Sequence, residues 1–113
     1  MKIVLKLIIN ALAVLALSNW FGGVEVDSFG TAILVAIILA ILNVLIKPFL
    51  IIITIPITIL TFGIFLLFVN AIIVKMASGL VDGFYVSGWL SAILFGLAMS
   101  LINSLLDSEK HNK

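Results

Sequence analysis

Long apolar runs separated by short polar breaks organise this chain of 113 residues. A helix needs roughly 20 predominantly apolar residues to cross the hydrocarbon core of a bilayer. Four runs approach that length, and we predict transmembrane helices at about 3–21, 29–46, 63–77 and 89–106. The breaks after the first and third runs contain glycine and acidic residues, which are typical of turns. The pattern therefore predicts an all-α integral membrane protein with four transmembrane helices, arranged as two hairpins.

The two hairpins match each other without a gap at an offset of sixty residues. Apolar identities carry little weight in such a chain, but four polar or glycine positions of the first half recur in the second half. The matched pairs are Asn10 and Asn70, Ser18 and Ser78, Gly23 and Gly83, and Asn43 and Asn103. Polar groups are costly in lipid, so their recurrence at one offset is informative. We predict a single membrane domain, 1–113, with tandem repeats at 3–46 and 63–106 and a polar tail at 107–113.

The segment that joins the repeats, 47–62, is as apolar as the spans but too short to cross the membrane alone. Pro48 suits the first turn of a helix, whereas Pro56 removes a backbone hydrogen bond and bends the helix that contains it. One face is polar at helical spacing: Lys47, Thr54, Thr58 and Thr61. We predict an interfacial or re-entrant pair of helices broken by proline. The alternative is a cytoplasmic continuation of spans two and three as long tilted helices.

Composition agrees with a membrane protein and narrows its chemistry. The mean hydropathy is +1.47 and only 10% of the residues are charged, which leaves no polar face for a soluble globule. A net charge of +1 supplies no basic surface for nucleic acid, so the lipid bilayer is the expected partner. The chain has no cysteine and therefore no disulfide or thiolate chemistry.

Lysine positions predict how the protein sits in the membrane, because cytoplasmic flanks retain lysine and arginine. With four crossings, five of the six basic residues share one side: Lys2, Lys6, Lys47, Lys110 and Lys113. We predict a multi-pass protein with both termini in the cytoplasm and with repeats that stand the same way up. The apolar run after Lys2 and Lys6 also resembles a secretory signal, but residues 3–22 align with 63–82, so we interpret it as a retained span.

Polar and small residues within the spans are the candidates for function. We predict that four asparagines form one layer in the cytoplasmic half: Asn10, Asn43, Asn70 and Asn103. They either make hydrogen bonds between helices, worth about 0.6–2 kcal/mol each, or line an ion or solute path. Two ridges of small residues at a spacing of four predict close packing and a homo-oligomer. They are Ala32, Ala36 and Ala40, and Ala92, Gly96 and Ser100. The sequence leaves open whether the ridges meet within one chain or between subunits.

Apart from Lys6 near the start of the first span, Lys75 is the one charged residue inside a predicted span. Its ammonium group is expected to reach the outer interface or to pair with Asp82, Glu25 or Asp27, with a gating or substrate-binding role as the alternative. No pair of carboxylates shares a span, and His111 lies in the predicted tail. We therefore expect no catalytic residue, no cofactor and no metal site, and we predict that the protein is not an enzyme.

Three short elements carry a family resemblance: N-x-x-x-K-P from Asn43 to Pro48, P-x-x-x-L-T-x-G-x-F from Pro56 to Phe65, and the pair Asn70-Ala71, followed by a glycine and aromatic turn. In this order they resemble the small bacterial membrane proteins of the phage holin family, superfamily IV. The resemblance implies a four-span protein of the bacterial inner membrane. We expect a holin-like protein that forms pores or organises the envelope membrane. The alternatives are a minimal transporter or lipid-handling protein that uses the asparagine layer and the Lys47 stripe, and a structural scaffold.

Overall fold

The computed structural model of the protein describes residues 2–20 and 22–111, with side chains described through residue 107. Each predicted span contains one long helix. Residue 21, at the end of the first predicted span, and residues 112–113 of the predicted tail lie outside the described residues. In chain order the elements are α1 Lys2–Trp20, β1 Val24–Val26, α2 Phe29–Leu45, α3 Lys47–Ile53, α4 Ile55–Leu60, α5 Phe65–Leu80, β2 Phe84–Val86 and α6 Gly88–His111.

Four long helices form a closed ring around one apolar core. α1 packs against α2 and α6, and α5 packs against the same two helices, so that α1 and α5 lie on one diagonal. The core is formed by small and branched side chains, with Val14, Val35 and Phe95 fully buried between the helices. Helix α2 begins at an N-cap, because Ser28 Oγ accepts a hydrogen bond from the Thr31 backbone N–H at 3.2 Å.

The long helices differ in how well each would cross a bilayer. Among the described residues, α1 and the part Gly88–Asp107 of α6 are long and apolar enough to span. α2 and α3 together make a third candidate that is bent by 43°, and α5 is a shorter apolar helix of 16 residues. This arrangement is consistent with a four-span membrane protein.

The turns of the two hairpins pair with each other as a short antiparallel ribbon, which the sequence analysis did not predict. β1 and β2 place Val24 opposite Val86 and Val26 opposite Phe84. Glu25 lies opposite Tyr85, sixty residues later, and the two flanking pairs are exchanged about it, which is the pattern of a local two-fold axis through the ribbon. The protein is helical with a small β-ribbon, and the prediction of a purely α-helical fold is corrected on this point.

Glycines allow the ribbon to close at both ends. The Asp27 N–H donates to the Gly83 carbonyl at 2.9 Å, and the Ser87 N–H donates to the Gly23 carbonyl at 2.7 Å. Gly83 has a φ of +93°, which other residues rarely adopt, and a Cβ there would lie 2.7 Å from Asp27 Oδ2. A Cβ at Gly23 would collide with the side chain of Ser91. Both positions therefore favour glycine, Gly83 where the two turns meet and Gly23 where its turn meets the first turn of α6.

The joining segment forms two short helices with a proline in the first turn of each, at Pro48 in α3 and Pro56 in α4. Neither helix has a buried residue. The turn into α5 holds Phe62 at a φ of +55° and leaves its side chain 95% exposed. The predicted polar tail is also helical where the structure describes it, because α6 continues to His111 without a break.

Candidate functional site

A cavity of about 570 Å³ opens where the first turns of α1 and α5 meet the last turns of α2 and α6. Its size falls within the roughly 300–1,000 Å³ of typical ligand pockets. Apolar side chains make up most of its wall, and nine lining residues are polar or charged: Lys6, Asn10, Asn43, Lys47, Asn70, Ser100, Asn103, Ser104 and Asp107. The four asparagines that the sequence grouped into one layer thus line one cavity. It lies at the end of the bundle that carries Lys2, Lys6 and Lys47.

One side of the cavity is closed by reciprocal amide hydrogen bonds between α1 and α6. Asn103 Nδ2 donates to Asn10 Oδ1 at 2.9 Å, and Asn10 Nδ2 donates to Asn103 Oδ1 at 3.2 Å. Each amide also donates to its own helix, from Asn10 to the Lys6 carbonyl at 2.8 Å and from Asn103 to the Met99 carbonyl at 2.9 Å. Both amides are therefore well satisfied, and they hold the two helices in register.

The same side carries an ion pair one helical turn nearer to the mouth of the cavity. Lys6 Nζ lies 3.2 Å from Asp107 Oδ1, and both side chains are about half exposed. An exposed pair of this kind contributes at most about 1 kcal/mol. We call these two contacts, Asn10 with Asn103 and Lys6 with Asp107, the closed seam. The asparagines were predicted from the sequence, whereas the contact of Lys6 with Asp107 beside them was not.

The opposite side, between α2 and α5, has the corresponding positions but lacks the contacts. Asn43 and Asn70 both line the cavity, yet no hydrogen bond joins them in the described chain. The position sixty residues after Lys6 is Leu66, and the position sixty residues before Asp107 is Lys47. A leucine offers no carboxylate to this lysine, so the ion pair cannot be reproduced here. We call Asn43, Lys47 and Asn70 the open seam.

Small residues bring the helices close together at the floor of the cavity. A Cβ on Gly96 would lie 3.1 Å from Asn70 Cβ and 3.3 Å from the Asn70 backbone, so the ridge of α6 packs against α5 of its own hairpin. Ala32, Ala36 and Ala92 are buried, whereas Ala40 is exposed; Ala36, Ala40, Gly96 and Ser100 line the cavity.

Beyond the floor, the bundle is apolar and tightly closed. Val14, Val35 and Phe95 have no exposed surface, and the fully buried Phe84 of the ribbon lies with its ring centroid 5.7 Å from that of Phe95. The cavity therefore ends in an apolar core that separates it from the ribbon. Among the described residues, this core holds no polar side chain that water or ions from the cavity could follow.

The remaining predicted site residues lie elsewhere. Lys75 is near the ribbon, where its Nζ donates to the Val86 carbonyl at 3.1 Å and lies 5.9 Å from the centre of the Trp89 ring. The ammonium is thus held by a backbone carbonyl and an aromatic face. The expected pairing with a nearby carboxylate is absent from the described residues, whose one ion pair is that of Lys6.

Of the polar face predicted for the joining segment, Lys47 lines the cavity, whereas Thr54, Thr58 and Thr61 do not. Thr54 Oγ1 donates to the Leu50 carbonyl at 2.7 Å, and Thr61 Oγ1 donates to the Ile57 carbonyl at 3.0 Å. These hydroxyl groups satisfy the ends of their own short helices, a common use of threonine. Thr58 as a residue is partly buried, but its Oγ1 atom is shielded from solvent and has no hydrogen-bond partner in the described chain. Within the described residues, no cluster of three metal-ligating side chains occurs.

Comparison with known proteins assigns the family. The sequence model of the mycobacterial 4 TMS phage holins, superfamily IV, matches residues 1–105. The chain belongs to this family. The uncharacterized membrane protein YvlD of Bacillus subtilis is 37% identical over 106 residues, which cover 93% of this chain and 89% of that protein. An uncharacterized protein of Streptomyces coelicolor is 34% identical over 114 residues, covering 91% and 90%. No solved structure matches the chain.

Membership of this phage holin family confirms the resemblance carried by the three short elements. The family description of four transmembrane segments is consistent with the four long helices. The first element, from Asn43 to Pro48, lies at the junction of α2 and α3 and supplies Asn43 and Lys47 to the open seam. The second element contains the strained turn at Phe62 and ends in the first residue of α5. The protein is therefore a holin-like membrane protein.

Proposed function

We propose that the protein acts in the bacterial inner membrane as a holin-like homo-oligomer that permeabilises or organises the bilayer. In this proposal it spans the membrane four times, with two tandem repeats standing the same way up and both termini in the cytoplasm. Family membership supports the membrane role, and the chemistry of the site gives no support to catalysis.

Reciprocal pairing in the ribbon supports the tandem repeats. Buried positions support them too, because Ala32, Val35, Ala36 and Leu39 have buried counterparts sixty residues later at Ala92, Phe95, Gly96 and Met99. In this proposal a two-fold axis along the bundle relates α1 to α5 and α2 to α6, and the contacts of each long helix with two neighbours support this arrangement. Lys2, Lys6 and Lys47 at the cavity end then support a cytoplasmic position for this end.

The observation that carries the assembly is the closed apolar core of a single chain beside an apolar outer surface. Because Val14, Val35 and Phe95 close the bundle, a conducting path would have to form between chains rather than through one. The helices α3 and α4 are apolar and exposed, with Phe49, Ile53 and Leu60 among the outermost side chains. We propose that this segment lies in the interface of the membrane or re-enters it, since lipid is the solvent that suits such a surface.

A liposome experiment tests this function. Purified full-length protein is reconstituted at increasing protein-to-lipid ratios, and release of a small and a large trapped dye is recorded. Assembly between chains predicts release that rises more steeply than in proportion to the protein density. Protein-free liposomes are the control. Absence of release at densities where crosslinking detects oligomers would contradict the pore-forming role and leave a scaffold role.

A second candidate is a minimal transporter or lipid-handling protein, which the one-ended polar cavity favours. It predicts selective movement of a solute or lipid without release of either dye.

Sidedness is tested separately with Gly22→Cys and Ser108→Cys, labelled by a membrane-impermeant thiol reagent in intact cells. Gly22 suits this test because nothing lies within 4 Å of its Cβ position. Labelling of the Ser108 variant from outside would refute cytoplasmic termini.

A further inference from the structure

We propose that the open seam binds a phosphate-type anion, and that this anion is the headgroup of an anionic membrane lipid. The donors are the ammonium group of Lys47 and the side-chain amides of Asn43 and Asn70. The proposal concerns binding only, and it holds whether or not the protein forms pores.

The charges around the cavity leave one cation to be neutralised. Lys6 and Asp107 pair with each other, and Lys47 is the third charged residue of the lining. Lys47 is partly buried, and the described residues offer it no carboxylate. A partly desolvated ammonium group without a counter-ion is costly, and an anion bound beside it would offset that cost. The cavity therefore carries one excess positive charge where an anion can enter.

The closed seam shows what these helices do when their side chains are complementary. There, two amides bond each other and a lysine meets an aspartate across α1 and α6. In the open seam the acid is replaced by Lys47 and the lysine by Leu66, so donors outnumber acceptors. An anionic oxygen can accept from an ammonium group and from two amides at once. A bound phosphate would thus supply the acceptors that the protein itself does not provide on this side.

The surroundings of the open seam favour a lipid over a free anion. Val44 lines the cavity and is 71% exposed, and Phe49, two residues after Lys47, is also exposed. In a bilayer, exposed apolar side chains at this depth face acyl chains. A lipid whose headgroup is held by Lys47 would keep its own acyl chains beside them without leaving the bilayer. A free phosphate would use the same donors but would gain nothing from these apolar neighbours.

Binding can be measured by native mass spectrometry of the full-length protein in neutral detergent. The probes are dihexanoyl phosphatidylglycerol, zwitterionic dihexanoyl phosphatidylcholine and inorganic phosphate. We expect phosphatidylglycerol to bind at least tenfold more tightly than phosphatidylcholine or phosphate. We expect Lys47→Gln to weaken phosphatidylglycerol binding about tenfold, which corresponds to about 1.4 kcal/mol.

Two further variants separate this site from general electrostatic attraction. Lys2→Gln removes the same charge from an exposed side chain that does not line the cavity, and it should leave affinity within about twofold. Asp107→Asn removes the carboxylate of the closed seam and frees Lys6, so it should strengthen binding several-fold. Equal losses in the Lys2 and Lys47 variants would overturn the proposal. Equal affinity for phosphate and phosphatidylglycerol would assign the site to a soluble anion and overturn the lipid assignment.

Discussion

Replacing the asparagines one at a time tests whether the closed seam stabilises the bundle. Asn10→Leu removes two reciprocal hydrogen bonds to Asn103, each worth about 0.6 kcal/mol on average in membrane helices and at most about 1.7. In this variant the Asn103 amide still donates to the Met99 carbonyl and lines the cavity, so the loss of its Asn10 partner leaves it only partly unsatisfied. We therefore expect Asn10→Leu to lower the free energy of unfolding by about 1–2 kcal/mol.

Asn70→Leu is the matched control, because Asn70 lies sixty residues after Asn10 and has no hydrogen bond to Asn43. Leucine keeps the Cβ that contacts Gly96, so helix packing there is unchanged. We expect a loss below about 0.5 kcal/mol, as for a substitution that removes no buried contact. Equilibrium unfolding in mixed detergent micelles measures both variants. Equal losses at the two positions would refute the assignment of a closed and an open seam, and so would additivity of Asn10→Leu with Asn103→Leu in a double-mutant cycle.

Three other predictions address the turns and the helix packing, and all use the same unfolding measurement. Gly83→Ala should lower the free energy of unfolding by about 1–3 kcal/mol, because of the positive φ at this position and the contact of the new Cβ with Asp27. Gly22→Ala should leave it nearly unchanged, and a larger loss for Gly22→Ala than for Gly83→Ala would contradict the pairing of the two turns. Phe62→Gly should raise stability by about 1 kcal/mol by relieving a left-handed backbone, and a loss would mean that the exposed ring stabilises the monomer. Gly96→Leu should cost about 1–3 kcal/mol by forcing α6 away from α5, and an unchanged stability would refute their close approach.

The membrane class and the long helices could be predicted from the sequence because lipid imposes simple rules. A backbone in hydrocarbon must satisfy its own hydrogen bonds, so apolar runs of sufficient length become helices whatever surrounds them. The positions of the four asparagines along those runs then placed them in the same half of the membrane, since a helix rises a constant distance per residue. Pro48 and Pro56 marked the starts of α3 and α4 for an equally local reason.

Pairing between distant segments was decided by the tertiary structure alone. The ribbon joins β1 to β2 across about sixty residues, and short strands of three residues carry no periodicity strong enough to be recognised. The Lys75 ammonium group donates to the Val86 carbonyl and lies over the Trp89 ring rather than beside a carboxylate, because the ribbon brings that carbonyl within hydrogen-bond distance.

The closed and open seams also separate what the sequence determines from what only the packing of the helices decides. Sequence by itself determined that four asparagines and three charged residues gather at one end of the bundle, because depth in a helix follows from residue number. It did not determine which amides bond to each other, since the repeat does not say which helices are neighbours. That choice depends on neighbours across the helix interface, where Lys6 meets Asp107 on one side and Lys47 lacks an acid on the other. Only the packing of α1 against α6 and of α2 against α5 brings those neighbours together.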